Sequence, residues 1–394
     1  MTFLALIDSP SIFQVLWFLL VGVLWIGFFV LEGFDFGVGM LVPFLGRSTK
    51  GRDDQATRVV INTIGPHWDG NEVWLLTAGG AMFAAFPSWY ATLFSGLYIP
   101  LFLVLIGLIL RGVAVEYRSK RESLRWRYTW DWLLAVGSFI PALVFGVGFA
   151  WFIIGIPVGP GPAAFDSLAV FVYPGISQGE LFAIILTDGL ALIGGGVFVL
   201  LFLTHGAHFV AMKTRGVVHN RAQQYAKTLG LFAAGLLLVF VIWGNLRVGP
   251  MGVVDYPWAL DDGATGPYVT IAWINVVAWI VGILAVVSVV FAWVMNLVKR
   301  DGWAFIGTTI ATIMMVVMVF CHMYPGLGFD NPELIDIRSA ASSENTLFLM
   351  TIAALCLVPV VLAYTVWSYM FVFRRRLSVT NIPALGVTTP RHPV

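Results

Sequence analysis

Nine stretches of this chain are long and apolar enough to cross a lipid bilayer, which removes most folds from consideration. Their approximate cores are residues 12–44, 58–86, 88–117, 128–156, 180–212, 222–247, 269–298, 303–324 and 345–373. Hydrocarbon cannot hydrogen-bond a backbone, so each run must satisfy its own N–H and C=O groups, and a helix does this within one segment. The expected fold class is all-α: a polytopic membrane protein of about nine transmembrane helices, with residues 1–394 forming a single integral membrane domain. Charged residues make up only 11% of the chain, against about a quarter in a soluble domain. A net charge of +1 excludes nucleic acid as a partner bound through a basic surface. Cys321 and Cys356 both lie in apolar runs and form no C-x-x-C pair.

Loop charges test the span count. Basic residues gather at Arg47, Lys50, Arg52 and Arg58, at Arg118, Lys120, Arg121, Arg125 and Arg127, and at Lys213, Arg215, Arg221 and Lys227. They recur at Lys299 and Arg300 and at Arg374, Arg375 and Arg376. The intervening loops are acidic or neutral, with Asp255, Asp261, Asp262, Asp330, Glu333 and Asp336; only Arg247 and Arg338 fall there. This alternation predicts an outside N-terminus and a cytoplasmic C-terminus. The second span is the weakest, because Asn62, His67, Asp69, Asn71 and Glu72 interrupt it.

A short echo links Leu31-Glu32-Gly33-Phe34 in span one with Thr187-Asp188-Gly189-Leu190 in span five. Four spans separate the two, so true copies would point the same way. That reading gives parallel halves at about 12–156 and 180–324, two four-helix bundles, and a final helix at about 345–373. Chance similarity between Gly-rich membrane helices is the alternative.

A carboxylate at bilayer depth is costly unless it faces protein or water. Glu32 and Asp35 are spaced to share a helix face. Asp35 lies roughly 34 Å along a helix from Ile12, in the cytoplasmic third, and Asp69 roughly 16 Å from Arg58, near mid-membrane. They read either as steps of a proton path or as polar groups that fix helix packing. Pro66 suggests a helix break beside the His67 to Glu72 patch. His67 could ligate haem iron, but a second axial ligand is not visible in sequence. His205 and His208, close to Lys213, read as interfacial or lipid contacts, and His322 as an interfacial anchor. Arg111 could pair with Asp35, meet a cofactor propionate, or snorkel. Asp188 reads as structural. Most tryptophans suit interface belts, but Trp74 follows the polar patch in mid-span. No metal-ligand cluster or nucleophile motif appears.

Several strings carry a family likeness: Gly33-Phe34-Asp35-Phe36-Gly37-Val38-Gly39-Met40, Pro66-His67-Trp68-Asp69-Gly70-Asn71-Glu72-Val73-Trp74, Tyr117-Arg118-Ser119-Lys120 and Trp130-Asp131-Trp132. They resemble subunit II of the cytochrome bd quinol oxidases, strongly over about residues 15–145 and more loosely to about 375. The resemblance implies a heterodimer in the bacterial cytoplasmic membrane. The partner, subunit I, would hold haems b and d and the quinol-oxidising loop; this chain would hold no haem or metal and no catalytic residue. Small accessory subunits, lipid and a structural quinone are further partners it suggests. It also implies that oxygen is reduced to water with protons drawn from the cytoplasm. Asp35 and Asp69 match acids of the proton path, with Glu32 beside them, and Trp74 matches a residue of the oxygen route. His67, Trp68, Asn71 and Arg111 would give polar support. Glu32 departs from relatives that carry Asp there. A secondary transporter and a purely structural stabiliser of a haem subunit are the competing functions.

Overall fold

A computed structural model describes residues 10–48, 51–160, 170–172, 177–247, 272–331, 334–369 and 376–380. Twelve α-helices lie among the described residues: α1 (Ile12–Leu45), α2 (Asp54–Ile64), α3 (Trp68–Ala85), α4 (Pro87–Gly96), α5 (Tyr98–Tyr117) and α6 (Leu124–Ile154), followed by α7 (Gln178–Thr187), α8 (Gly189–Lys213), α9 (Val217–Arg247), α10 (Ala272–Leu297), α11 (Asp301–Met323) and α12 (Glu344–Trp367). Eight of them are long and apolar enough to cross a membrane. The all-α polytopic class holds, with a count close to the nine spans expected. The difference is span 58–86, which divides into α2 and α3 around Gly65, Pro66 and His67. Proline has no N–H to continue a helix, and the polar residues behind it start a new one.

Two other expected spans are also interrupted. Residues 88–117 bend at Leu97 between α4 and α5. Residues 180–212 break at Asp188, which therefore sits at a helix start rather than inside a span. Its Oδ1 accepts the N–H groups of Leu190 and Ala191 at 2.8 and 3.0 Å, and its Oδ2 takes Arg247 Nη1 at 2.7 Å. That is an N-cap with a half-buried counter-ion, a structural role. Ser11 with Gln14 and Ser177 with Glu180 complete capping boxes at two other starts.

The centre of the molecule is α1, which packs on α3, α6, α8 and α11. A Cβ on Gly37 would overlap the Phe202 carbonyl, and one on Gly206 would overlap the Gly37 backbone, so α1 and α8 cross where neither carries a side chain. Phe29 fills the space outward of that crossing, edge-on to Phe149 and Phe198 at 4.8 and 5.1 Å between ring centroids. The crossing also sets the depth of the two similar strings. With Gly37 level with Gly206, Glu32 and Asp188 are out of register by about 13 residues, roughly 20 Å along the helices.

The basic loops converge at one end. Arg118 bonds Asp54 and Asp131 at 2.8 and 2.5 Å, and Arg127 bonds Asp54 at 2.5 Å. Arg221 Nη1 donates to the Leu45 carbonyl at 2.8 Å, and Gln223 donates to Asp301 at 2.7 Å. Leu377 N–H closes on the Lys213 carbonyl at 2.7 Å, bringing the end of the described chain to the same face. At the opposite end Val158 N–H donates to Asp330 Oδ1 at 2.9 Å; burial pushes that carboxyl up to about 6 although the hydrogen bond opposes the shift. Asp255, Asp261, Asp262 and Glu333 lie outside the described residues, as do Lys50, Arg374 and Arg375.

Helix α12 stands apart. Trp17 Nε1 reaches its first turns, at the Leu347 carbonyl and Thr351 Oγ1, both at 3.0 Å. Beyond them Leu355, Leu357, Val360 and Tyr364 are exposed, 64–71% each. Such a face must be covered by lipid or protein.

Candidate functional site

Among the described residues, the largest group of buried charge within the apolar helices is built from three of them. Helix α1 contributes Glu32 and Asp35, both 0% exposed, and α5 contributes Arg111, also 0% exposed. Arg111 Nη1 bonds Glu32 Oε1 and lies 3.5 Å from Glu72 Oε2 of α3; Nη2 lies 3.7 Å from Asp35 Oδ2. The guanidinium is held between rings, 5.2 Å from the centroid of Phe36 and 5.6 Å from that of Trp68. Two glycines make this possible. A Cβ on Gly137 of α6 would come within 2.8 Å of the Arg111 backbone nitrogen, and one on Gly112 within 3.2 Å of the Trp68 ring. Arg111 is therefore an ion-pair centre, not a snorkelling side chain.

A hydrogen-bonded chain leads away from Asp35. Asn71 Nδ2 donates to Asp35 Oδ2 at 2.7 Å, and Tyr369, just past α12, donates its hydroxyl to Asn71 Oδ1 at 2.8 Å. His67 Nδ1 stands 4.0 Å from Asp35 Oδ1. Glu32 Oε2 and Asp35 Oδ1 are buried with no hydrogen-bond partner among the described residues. Each acid is thus held by one oxygen and open at the other. One guanidinium balances one carboxylate; the remaining two carry a charge or a proton. Water can bridge such groups where there is room and enough polar company.

Of the residues singled out in sequence, Glu32, Asp35, His67, Trp68, Asn71 and Arg111 come together here. Asp69 does not enter the cluster: it is exposed, and its Oδ1 accepts the N–H of its neighbour Gly70 at 2.9 Å. Nor is it a deeper step. Asn71, two residues on, touches Asp35, so Asp69 and Asp35 lie at about one level and the separation between them is lateral. Trp74 packs on α1 instead, its six-membered ring occupying the place a Gly27 Cβ would take.

A cavity of about 800 Å³ adjoins the cluster between α3, α4, α5 and α6, lined by Trp68, Glu72, Leu75, Gly79, Tyr90 and Phe149 among others. Trp89 also borders it, with an indole N–H that is buried and has no acceptor among the described residues. Trp74 is not part of its wall.

Three histidine readings need correction. His205 is fully buried, with Nδ1 2.8 Å from Thr308 Oγ1 and Nε2 3.1 Å from the Val30 carbonyl, so it ties α8 to α11 and α1. His208 is also 0% exposed. His322 is buried with Nδ1 2.8 Å from the Met318 carbonyl. None of the three is interfacial. A haem does not fit His67, because the rings of Phe34, Phe209 and Tyr369 stand 4.9–5.9 Å from it and fill the space a porphyrin would need. Among the described residues no three His, Cys, Asp or Glu side chains are grouped to hold a metal.

Glu72 and Tyr369 were not singled out as site residues. Glu72 had a signal, three residues after Asp69 in the same polar patch. Tyr369 looked like one more aromatic at the end of a span.

Residues 13–372 match the family described as cytochrome bd terminal oxidase subunit II. Cytochrome bd ubiquinol oxidase subunit 2 of Bacillus subtilis is 37% identical over 369 residues, spanning 92% of this chain and 96% of that protein. Cytochrome bd-I ubiquinol oxidase subunit 2 of Escherichia coli K12 is 37% identical over 379 residues, spanning 93% and 95%. In fold the chain is similar to a chain of the bd oxidase from Geobacillus thermodenitrificans, with a TM-score of 0.69 at 14% sequence identity, covering 92% of this chain and 99% of that one.

Proposed function

The chain belongs to the cytochrome bd terminal oxidase subunit II family, and from that premise we propose that it is the haem-free subunit of a bacterial quinol:oxygen oxidoreductase. It supports a subunit I that carries haems b and d, and it brings protons toward the site of oxygen reduction. The single observation that carries the proton reading is the Glu32–Asp35–Glu72 cluster around Arg111, buried at its centre and flanked by Asp69 at the surface. Such a cluster in a membrane helix calls for a functional reason. The N-terminus lies outside and the C-terminus in the cytoplasm, so the basic end of the molecule faces the proton source.

The exposed apolar face of α12 and the surface bearing Asp69 are among the sides open to subunit I and lipid. The 800 Å³ cavity, walled mostly by apolar and aromatic side chains, suits the polyprenyl or acyl chain of a structural quinone or lipid.

Purification through a tag on this chain tests the assignment. A haem-bearing partner should co-purify, quinol should drive oxygen consumption, and solvent extraction should release quinone or lipid. A chain that purifies alone and moves a solute across liposomes would be a secondary transporter instead.

Oxygen access is the finer part of the reading. Trp74, wedged on Gly27, closes the contact between α1 and α3. Alanine at 74 opens that contact, so the apparent oxygen affinity should change by about threefold or more while quinol affinity stays constant. Unchanged oxygen kinetics in a fully assembled variant would make Trp74 a packing residue only.

A further inference from the structure

We propose that Tyr369 is a positioning residue for the proton path, fixing the side-chain amide of Asn71 so that Asp35 is held by one oxygen and open at the other. The inference rests on the reading of Asp35 as a proton carrier. Its basis is the direction of the amide. Asn71 offers an oxygen on one side and an NH2 on the other, and a flip would exchange them. Asp35 Oδ2 and the Leu31 carbonyl, which can only accept, draw Nδ2 toward themselves at 2.7 and 3.5 Å, and the Tyr369 hydroxyl donates to Oδ1 at 2.8 Å and anchors the amide from its far end. In the flipped form two acceptors, Asn71 Oδ1 and Asp35 Oδ2, would oppose each other.

Tyr369 lies at the far end of the helix that packs least on the rest of the chain. At its start α12 is fixed by Trp17; beyond its end, Tyr369 reaches across to α3. Its ring is 4.9 Å from that of His67 and 6.2 Å from that of Phe34. These ring contacts would survive the loss of the hydroxyl, whereas the hydrogen bond that anchors the far end of the amide would not. With Asn71 locked, Asp35 Oδ1 is the oxygen left for an arriving proton, and it points toward His67 at 4.0 Å. The charged and titratable groups around Asp35 are Glu32 on α1, Arg111 on α5, and Asp69 and Glu72 on α3. His67 precedes α3, and Lys213, at the end of α8, acts electrostatically on His67. None of these is altered by Tyr369→Phe.

The test is Tyr369→Phe in the assembled oxidase, with haem content and subunit ratio matched to the parent. Loss of one hydrogen bond at this point should lower kcat about fivefold and leave the KM for quinol and for oxygen unchanged. With the donor on Asp35 Oδ2 held less firmly, the acid limb of the pH–rate profile should move about half a unit toward higher pH. Asn71→Ala, which removes the amide that Tyr369 anchors, should reproduce both effects, and the double variant should add almost nothing to either single one. A parental rate and profile in Tyr369→Phe overturns the inference. So does a lower rate with an unmoved profile, or full additivity in the double variant. Asp35→Asn separates the two levels: full activity there removes the proton-carrier reading itself, whereas a slow Asp35→Asn beside a normal Tyr369→Phe removes only the role of Tyr369.

Discussion

Arg111→Leu is expected to leave little assembled oxidase in the membrane. The guanidinium is 0% exposed and is the counter-ion of Glu32, Asp35 and Glu72 at once. Removing it leaves three carboxyl groups facing one another in a low-dielectric interior. Breaking a buried ion pair from one side costs about 3–5 kcal/mol, a large share of the stability of a typical domain. Lysine should recover only part of the loss. It is a point charge on a flexible stem and cannot bond Glu32 while its charge also lies near Asp35 and Glu72 and between the Phe36 and Trp68 rings. Arg111→Gln combined with Glu32→Gln removes both halves of the tightest pair. This double variant should assemble better than Arg111→Leu, even if it turns over slowly. The measurement is haem recovered with the tagged subunit per unit of membrane protein. Normal recovery and full turnover in Arg111→Leu would mean that the acids do not depend on this cation.

How much of this could be read beforehand follows from what periodicity measures. Apolar length and loop charge report depth: eight long apolar helices stand close to the nine spans expected, and the described basic loops gather at one end. Direction around a helix axis is another matter. His205 and His208 were placed correctly near the Lys213 end of their helix, yet they point into the protein, because α1 and α11 cover that side of α8. In the same way the patch from His67 to Glu72 was visible as polar, but which members turn inward depends on how α3 meets α1. That contact is made by Asn71 on Asp35 and by Trp74 on Gly27, leaving Asp69 outside. Arg111 had open alternatives until its neighbours were known. Tyr369 lies nearly three hundred positions from Asn71 in the chain, and no local pattern could join them.

Asp35→Asn and Glu32→Gln should each lower oxygen consumption per haem by about tenfold or more at saturating quinol, with haem content close to the parent. Each replacement keeps shape and hydrogen-bonding reach but cannot accept and release a proton. Both acids have the same feature: one oxygen committed to a partner, the other buried and unpaired. Sequence position alone made Glu32 a supporting residue with a milder effect. Its direct bond to Arg111 and complete burial argue instead for an effect equal to that of Asp35. Asp69→Asn should also slow turnover, but less, because Asp69 is exposed and another group or water at the surface can deliver the proton in its place. The ordering is therefore Glu32 and Asp35 together, then Asp69. Rates must be compared in complexes with the parental subunit ratio, since a poorly assembled oxidase would mimic a blocked path. Full activity in both Asp35→Asn and Glu32→Gln would dismiss the relay. The cluster would then be a packing device, with Arg111 binding α5 to α1 and α3 through charge.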